Sequence, residues 1–352
     1  MFAGIYKDKK VLVTGHTGFK GSWLVKWLNV LGADVYGFSL ESETSPNHYE
    51  LLKPDLRSEM GDTRNYEHLL KFINKCQPEM VFHLAAQPLV RRSYAQPIET
   101  FTTNVMGTAH VLEACRQVGS VKAVVNVTTD KCYENQEWVW SYRENEPLGG
   151  HDPYSASKAC SEIVTSSYRS SFGNENLLIA SARAGNVIGG GDWSEDRLVP
   201  DVIRALLKNE SIKIRSPKAV RPWQHVLEPL SGYLLIGQRL LEGKQECAQA
   251  WNFGPNESGH LTVGEVLNGL QEHLSFNIEY GCSQLHEAGL LKLDCSKART
   301  LLKWKPVLSS QEMLSYTAKW YRSYYKDGSV NTDKQIEDFV IAAQLNQCEW
   351  VA

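Results

Sequence analysis

The sequence lacks long hydrophobic runs, runs of basic residues and closely spaced cysteine pairs. A membrane-spanning helix needs about 20 consecutive apolar residues, and no stretch reaches that length, so we expect no membrane partner. The first ten residues do not follow the charged-then-apolar order of a signal peptide. A net charge of -3 without a basic run gives no indication of nucleic-acid binding.

The eight cysteines are scattered, with no C-x-x-C motif and no paired Cys/His spacing. This distribution favours reduced thiols in a cytoplasmic protein and no structural metal site. The chain has 352 residues, 42% hydrophobic and 22% charged, which are ordinary values for a globular protein. The length allows one α/β domain with a smaller partner lobe.

Short apolar runs alternate with helical patterns through the first half of the chain. We predict strands at 10–14, 34–38, 79–84, 121–127 and 177–180, and long helices at 97–117 and 153–171. Strands separated by helices favour a parallel, Rossmann-type doubly wound α/β sheet, with ligands at the carboxyl ends of the strands. We predict a Rossmann domain over 1–183 and a smaller substrate-binding α/β lobe over 184–352, some of whose elements return to the sheet.

Three glycines follow the first predicted strand with the spacing G-x-x-G-x-x-G, at Gly15, Gly18 and Gly21. Glycine allows a tight turn and a close approach of the backbone to phosphate, and the N-terminus of a helix attracts anions. Three nearby glycines can also form an ordinary turn. Their place between a strand and a helix favours a dinucleotide site.

Tyr154 and Lys158 are four residues apart on a predicted helix, so their side chains share one face. A tyrosine titrates near pH ~10, and a neighbouring ammonium lowers that pKa. The pair predicts a phenolate base that removes a proton from a sugar hydroxyl as hydride leaves the carbon. The same spacing also occurs on solvated helix faces, and the preceding glycine loop favours the catalytic interpretation.

With these two motifs, residues 9 to 306 resemble the extended short-chain dehydrogenase/reductase family. More narrowly, five strings are similar to the CDP-glucose 4,6-dehydratase branch: G-H-T-G-F-K-G-S-W from Gly15, H-L-A-A-Q-P-L-V-R-R-S-Y from His83, D-K-C-Y from Asp130, R-A-G-N-V-I-G-G-G-D-W from Arg183 and R-P-W-Q-H-V-L-E-P from Arg221. The resemblance implies oxidation of CDP-glucose at carbon 4, elimination of water across carbons 5 and 6, and return of hydride to carbon 6.

The resemblance also implies a set of site residues. The catalytic residues are Thr129, Asp130, Lys131, Tyr154 and Lys158. The cofactor site comprises Gly15, Thr17, Gly18, Phe19, Lys20, Gly21, Asp62, Thr63, Leu84, Ala85, Ala86, Gln87, Asn104, Thr128, Tyr154 and Lys158. The substrate site comprises Asn186, Arg197, Val199, Arg204, Arg215, Arg221 and His286.

The residues after the second predicted strand bear on the choice between NAD and NADP. The second predicted strand ends Gly37-Phe38-Ser39-Leu40, with no carboxylate before Glu41 and no arginine. A carboxylate there is typical of NAD sites and an arginine of NADP sites. The missing arginine argues more strongly against NADP, and the resemblance implies NAD retained through the reaction.

Two questions stay open from the residues alone. Lys131 stands where the commonest nucleotide-sugar dehydratases have glutamate, so it is either the base at carbon 5 or a cation paired with Asp130 or a phosphate. An NAD-dependent nucleotide-sugar 4-epimerase, or a dehydratase of another nucleotide hexose, is the alternative activity. The resemblance further implies a homodimer or homotetramer.

Overall fold

The computed structural model describes residues 1–281 and 289–352. The strands are β1 (Lys10–Thr14), β2 (Asp34–Ser39), β3 (Arg57–Met60), β4 (Met80–His83), β5 (Ala123–Val127), β6 (Leu178–Ala184), β7 (Val187–Ile188), β8 (Ile212–Ile214), β9 (Val220–Pro222), β10 (Gln224–His225), β11 (Ala250–Phe253), β12 (His260–Thr262) and β13 (Ile278–Tyr280).

The helices alternate with the strands through the first half of the chain and dominate its end. They are α1 (Phe19–Val30), α2 (His48–Leu52), α3 (Tyr66–Cys76), α4 (Val90–Ala95), α5 (Pro97–Phe101), α6 (Gly107–Gln117), α7 (Pro153–Phe172), α8 (Leu198–Lys208), α9 (Leu227–Leu241), α10 (Val263–Gln271), α11 (Ser296–Leu301), α12 (Ser310–Asp327) and α13 (Thr332–Leu345).

A seven-stranded parallel sheet in the order β11-β6-β5-β4-β1-β2-β3 forms the centre of the fold. Successive β1 residues face opposite layers of helices, with Val11 and Val13 in one hydrophobic cluster and Leu12 in the other. Burial on both faces explains why the strands are near-continuous apolar runs. The predicted Rossmann-type doubly wound fold is confirmed.

The predicted helix at 97–117 is one helical run interrupted in its middle. Between α5 and α6, residues Thr102–Met106 form a π-helical turn, which contains the buried Asn104. Such turns are rare and frequently occur at functional sites. The helical periodicity therefore predicted the position of this run correctly, but the prediction of one continuous α-helix was wrong at residues Thr102–Met106.

The second half of the chain contributes to both the sheet and a smaller lobe. Strand β11 pairs with β6, and α9 packs on β5 and β6. The lobe contains the small pairings β7–β10, β8–β13 and β9–β12. These elements agree with the expectation that part of 184–352 returns to the sheet, while the division at residue 183 stays a proposal.

The end of the chain packs on its beginning, which the polar sequence of residues 326–352 did not predict. The ring of Trp350 stacks on Phe2 with centroids 5.2 Å apart and also on Phe339 at 5.9 Å. The backbone amide of Ala3 donates to the Ala352 carbonyl at 3.0 Å. Within residues 1–281 and 289–352, every helix is too short or too polar to traverse a lipid bilayer.

Candidate active site

A cavity of about 900 Å³ opens at the carboxyl ends of the sheet strands, between the Rossmann half and the smaller lobe. Its volume suits a ligand larger than a simple sugar. The sequence-predicted residues that line it are Phe19, Lys20, Thr128, Thr129, Asp130, Lys131, Tyr154, Asn186, Arg197, Val199, Arg215 and Arg221.

Tyr154 reaches this cavity from the first turn of α7. The turn is fixed by Asp152, whose carboxylate accepts from the Ser155 backbone amide at 2.9 Å and the Ser155 hydroxyl at 2.6 Å. The backbone amide of Tyr154 donates to Ser93 Oγ at 3.1 Å. Because the helix start is held on both sides, the phenol has a defined position at the cavity wall.

Lys158 lies one turn further along α7 and is buried. Its Nζ donates to the Val127 carbonyl oxygen at 3.0 Å, which anchors it to the end of β5. Burial lowers the pKa of Lys158 to about 8, while Glu162 and Cys132 act in the opposite direction. The ammonium is thus present at neutral pH, although it is easier to deprotonate than a surface lysine.

The expected phenolate at Tyr154 is not a property of the chain alone. Burial raises the pKa of Tyr154 to about 12, and the hydrogen bond with Thr129 only partly opposes that rise. The reason is that desolvation disfavours the anion, and the Lys158 ammonium bonds to a backbone carbonyl. In the chain without its cofactor, burial thus outweighs any lowering of the Tyr154 pKa, and the role of Lys158 in favouring the phenolate stays a prediction.

The turn after β5 carries the other polar groups of the site. Thr129 caps the short 3-10 helix Asp130–Cys132, accepting from the Lys131 amide at 3.3 Å and donating to Asp130 Oδ1 at 3.0 Å. Within the described residues, Asp130 Oδ2 is buried without a hydrogen-bond partner. Burial raises the pKa of Asp130, against the opposing effects of Lys131 and Thr129, which suits a proton donor.

The glycine loop forms a tightly packed cradle between β1 and α1. Gly15 has φ +74°, and a Cβ there would stand 2.7 Å from the Ala85 backbone nitrogen. Gly18 is the N-cap of α1 and has no capping side chain, so the first amides of the helix stay available to an anion. Thr17 ties the loop to the end of β2, donating to the Leu40 carbonyl at 2.8 Å and bonding to Ser39 Oγ at 2.8 Å.

The other predicted cofactor residues lie at neighbouring strand ends. Asp62 follows β3, and its carboxylate accepts from the Arg64 amide and side chain at 2.8 Å each. The Thr63 carbonyl bonds to His110 Nδ1 at 2.9 Å. Leu84, Ala85 and Ala86 directly follow β4, opposite the glycine loop.

Asn104 holds protein segments together and is almost completely buried. Its Oδ1 accepts from the Gln87 amide at 2.8 Å, and its Nδ2 donates to the Gln87 carbonyl at 3.1 Å and to Ser157 Oγ at 2.8 Å. Because its amide atoms have protein partners, the structure gives Asn104 a positioning role between the segment after β4 and helix α7. The sequence predicted a direct contact between Asn104 and the cofactor, whereas these hydrogen bonds are all to protein atoms.

Lys20 projects from the first turn of α1 into the same cavity. Burial, with Arg197 and Lys158 nearby, lowers the pKa of Lys20 to about 7, against Asp130 and Asp192. Its Nζ lies 6.0 Å from the centroid of the Tyr233 ring. The structure therefore places Lys20 beside the catalytic groups as well as beside the glycine loop.

The predicted substrate arginines divide into two groups. Arg197 pairs with Asp192 at 2.9 Å, Arg215 lies 4.0 Å from Asp196, and Arg221 donates to the Val220 carbonyl at 2.8 Å, all at the cavity wall. Arg204 does not line the cavity, because its guanidinium bonds to the carbonyls of Trp193 and Ser194 and pairs with Asp201. His286 lies outside the described residues.

Several charged residues of the cavity wall were not predicted from the sequence, among them Arg91 and Asp192. Both lie in strings that resemble the dehydratase branch, L-V-R-R-S-Y and G-G-G-D-W. Arg91 pairs with Asp196 at 3.3 Å. The described part of the chain has no cluster of three His, Cys, Asp or Glu side chains suited to a metal.

A parallel doubly wound sheet, a glycine loop after β1 and a Tyr-x-x-x-Lys pair on the helix beside β5 define a short-chain dehydrogenase/reductase. The family model described as GDP-mannose 4,6 dehydratase matches residues 12–317, and the chain belongs to this family. The chain is 48% identical to the CDP-glucose 4,6-dehydratase of Salmonella typhimurium, over 96% of this chain and 98% of that protein.

Solved structures of nucleotide-sugar enzymes are similar in fold to this chain at lower sequence identity. The dTDP-glucose 4,6-dehydratase DesIV from Streptomyces venezuelae, with NAD and TYD bound, is 26% identical with a TM-score of 0.79, covering 91% of this chain and 100% of that one. The UDP-glucose 4-epimerase of Thermotoga maritima, with UDP-glucose, is 25% identical with a TM-score of 0.78, covering 90% and 100%. Dehydratases and epimerases thus share this fold.

Proposed function

We propose that this protein is a CDP-glucose 4,6-dehydratase that uses bound NAD and releases CDP-4-keto-6-deoxyglucose and water. The observation that carries the proposal is the cavity itself, in which Tyr154, Thr129, Asp130 and Lys131 share one wall. The 48% identity to the Salmonella typhimurium enzyme along nearly the whole of both chains supports CDP-glucose as the substrate.

The glycine cradle supports the cofactor assignment. A Cβ at Gly15 or Gly21 would collide with backbone, so glycine is what lets the loop pack tightly against the first turn of α1. The backbone amides of that turn would bind the pyrophosphate. Thr17, Asp62, Thr63 and the segment from Leu84 to Gln87 would surround the adenosine and nicotinamide ends. NAD supplies a hydride acceptor at carbon 4 and a positive charge that favours the Tyr154 phenolate.

Tyr154 takes the proton from the hydroxyl at carbon 4 in this proposal. Lys158, anchored on the Val127 carbonyl, would hold the nicotinamide ribose and favour the phenolate through its charge. Thr129, whose hydroxyl interacts with Tyr154, bonds the oxygen at carbon 4. The ketone formed there acidifies the proton at carbon 5 and prepares the elimination.

Asp130 and Lys131 divide the elimination between them. Asp130 is buried with a raised pKa, so it keeps a proton to give to the hydroxyl that leaves carbon 6. Lys131 takes the proton from carbon 5. After exchange with solvent, Lys131 would return a proton to carbon 5 as the hydride is delivered back from the cofactor to carbon 6, which gives the 4-keto-6-deoxy sugar.

The nucleotide end of the substrate lies toward the smaller lobe. Asn186, Arg215 and Arg221 line that part of the cavity, and a planar guanidinium matches the paired oxygens of a pyrophosphate. Arg197 and Val199 at the start of α8 complete the wall. Arg204, which pairs with Asp201, is left out of this role.

A homodimer completes the proposal. Apolar side chains stay exposed on the helices that flank the site, with Ile98 75% exposed, Ile163 56% and Phe172 43%. Exposed apolar patches mark association surfaces. Sedimentation velocity should give twice the chain mass of 39.6 kDa, and Ile163→Glu should shift it toward the monomer.

The cysteines described in the structure are all free, which supports a cytoplasmic location.

The test is mass spectrometry of products from a panel of nucleotide-linked glucoses and mannoses, run in deuterated water. A CDP-hexose that loses the mass of water and carries one deuterium at carbon 5 is the expected product. An epimerase would return a product of unchanged mass without solvent deuterium. Turnover of another nucleotide alone would replace CDP-glucose as the substrate.

A further inference from the structure

A buried ion pair lies directly beneath the catalytic turn. Glu162 on α7 and Arg183 on β6 are joined at 2.8 Å, with side-chain exposures of only 2% and 4%. Two further hydrogen bonds reach the Glu162 carboxylate, from Thr128 Oγ1 at 2.5 Å and from Ser181 Oγ at 2.7 Å. Thr128 precedes Thr129 and Asp130, so its hydrogen bond to Glu162 fixes the turn that carries these two residues.

The Arg183 guanidinium extends the same network to the segment after the catalytic turn. It donates to the Tyr133 hydroxyl at 2.9 Å and to the Glu144 carbonyl at 3.0 Å, and it lies over the Tyr133 ring. Tyr133 in turn donates to Asn252 Oδ1 on β11 at 2.6 Å. The pair thus connects α7, strands β6 and β11, and the segment from residue 128 to 144.

We propose that Glu162 and Arg183 are positioning residues of the active site, which hold the turn Thr128–Lys131 against helix α7 and set the charge environment of Lys158. Neither side chain lines the cavity, so neither touches the substrate. Their action passes through Thr128, Tyr133 and Lys158.

The charge environment follows from the groups that face Lys158. Glu162 faces it from the next turn of α7, Cys132 from the 3-10 helix, His83 from the end of β4 and Lys20 from α1. Burial raises the pKa of Cys132 and lowers that of His83 to about 3, so both are neutral at neutral pH. Burial disfavours the Glu162 carboxylate, but Arg183 outweighs it and keeps the pKa of Glu162 low.

The negative charge of Glu162 therefore stabilises the protonated form of Lys158. Lys158 already titrates near pH 8 because it is buried, and the carboxylate opposes that decrease. Losing the negative charge should lower the pKa of Lys158 further. The active form would then disappear at a lower pH.

The chain offers a control in Glu228, a second buried glutamate that does not line the cavity. Its oxygens accept from the Val307 amide at 3.0 Å and from the Leu308 amide at 2.7 Å, and burial raises its pKa to about 8. Glu228→Gln therefore changes a buried glutamate without touching the catalytic turn.

The experiment compares Glu162→Gln, Glu162→Asp and Glu228→Gln in the full-length protein. The side-chain nitrogen of Lys158 is titrated by NMR of lysine-labelled protein without cofactor, assigned with Lys158→Met, and kcat is measured against pH with NAD and CDP-glucose. In Glu162→Gln we expect the Lys158 pKa to fall by roughly one unit, with the alkaline limb of kcat moving down equally. Glu162→Asp should restore both, and Glu228→Gln should move neither.

If Glu162→Gln does not fold, Arg183→Lys tests whether the ion pair positions the turn of residues 128–131. An ammonium keeps the charge but cannot span Glu162, Tyr133 and Glu144 together, so kcat should fall by about tenfold or more while KM changes little. An unmoved Lys158 titration in a folded Glu162→Gln protein, or an unchanged kcat in Arg183→Lys, would overturn the proposal. The kinetic part rests on the proposed role of Lys158, whereas the NMR titration does not, so the two can fail separately.

Discussion

Gly21 lies so close to Gly15 that a Cβ at position 21 would stand 2.0 Å from the Gly15 carbonyl oxygen. The first turn of α1 therefore touches the strand-to-helix loop along its backbone. This contact shapes the cradle in which the cofactor phosphates are proposed to bind.

Gly21→Ala should weaken cofactor binding by tenfold or more, because the loop must move away from the helix; about 1.4 kcal/mol of strain corresponds to that factor. NAD affinity by calorimetry is the measurement. The matched control is Gly119→Ala, where an added Cβ meets no atom within 4 Å. Equal affinities in the two variants would remove the loop from the cofactor site.

Tyr154→Phe should reduce turnover by at least ~10²-fold, the usual contribution of a general base, while NAD stays bound. The backbone bond to Ser93 and the cap at Asp152 do not involve the phenol, so the fold should persist. The readout is the alkali-induced absorbance of 4-keto-6-deoxy sugars, alongside bound NAD. Substantial activity in this variant would assign the proton transfer to another group.

Asp130→Asn should stabilise the protein near neutral pH. Burial raises the folded-state pKa of Asp130, so its contribution to stability is present below the unfolded pKa and lost as pH rises through the folded one. Asparagine has no such loss, and the gain in Tm over the wild type should grow from acid toward neutral pH. A Tm difference that does not vary with pH contradicts this assignment.

The same variant should slow elimination more than oxidation. Without an acid for the hydroxyl at carbon 6, reduced cofactor should accumulate during a single turnover. Stopped-flow absorbance of NADH measures this directly. Oxidation and elimination slowed to the same extent would give Asp130 a role before the elimination.

Lys131→Ala should slow deuterium exchange at carbon 5 more than oxidation at carbon 4. An amine acting as the base at carbon 5 is needed only after the ketone has formed. Exchange into the 4-keto product, supplied directly, isolates this step. Equal slowing of both steps leaves Lys131 as a cation that pairs with Asp130 or a phosphate.

Arg221→Lys should raise KM for CDP-glucose by about tenfold with a smaller change in kcat, since hydrogen bonds to charged groups contribute roughly 1.5–3 kcal/mol. Arg204→Lys is the control, because Arg204 does not line the cavity and its guanidinium bonds to Trp193, Ser194 and Asp201. A similar KM in the two variants would exclude Arg221 from the pyrophosphate site.

Periodicity and turn chemistry predicted most of the Rossmann half. The runs that became β1, β4 and β5 are apolar at nearly every residue because both faces of the sheet are covered. The interruption at Thr102–Met106 was not predicted, because the buried bonds of Asn104 to Gln87 and Ser157 join residues distant in sequence.

By itself, the sequence determined the sheet, the glycine loop and the family, because these depend on local patterns and contiguous strings. Only the tertiary structure decided how the charged groups behave. Tyr154 and Lys158 share a helix face, yet burial raises the pKa of one and lowers that of the other. Likewise Arg197 and Arg204 look equivalent in the sequence, but only Arg197 reaches the cavity. Desolvation and partner geometry arise only when distant segments pack together, and no spacing along the chain records them.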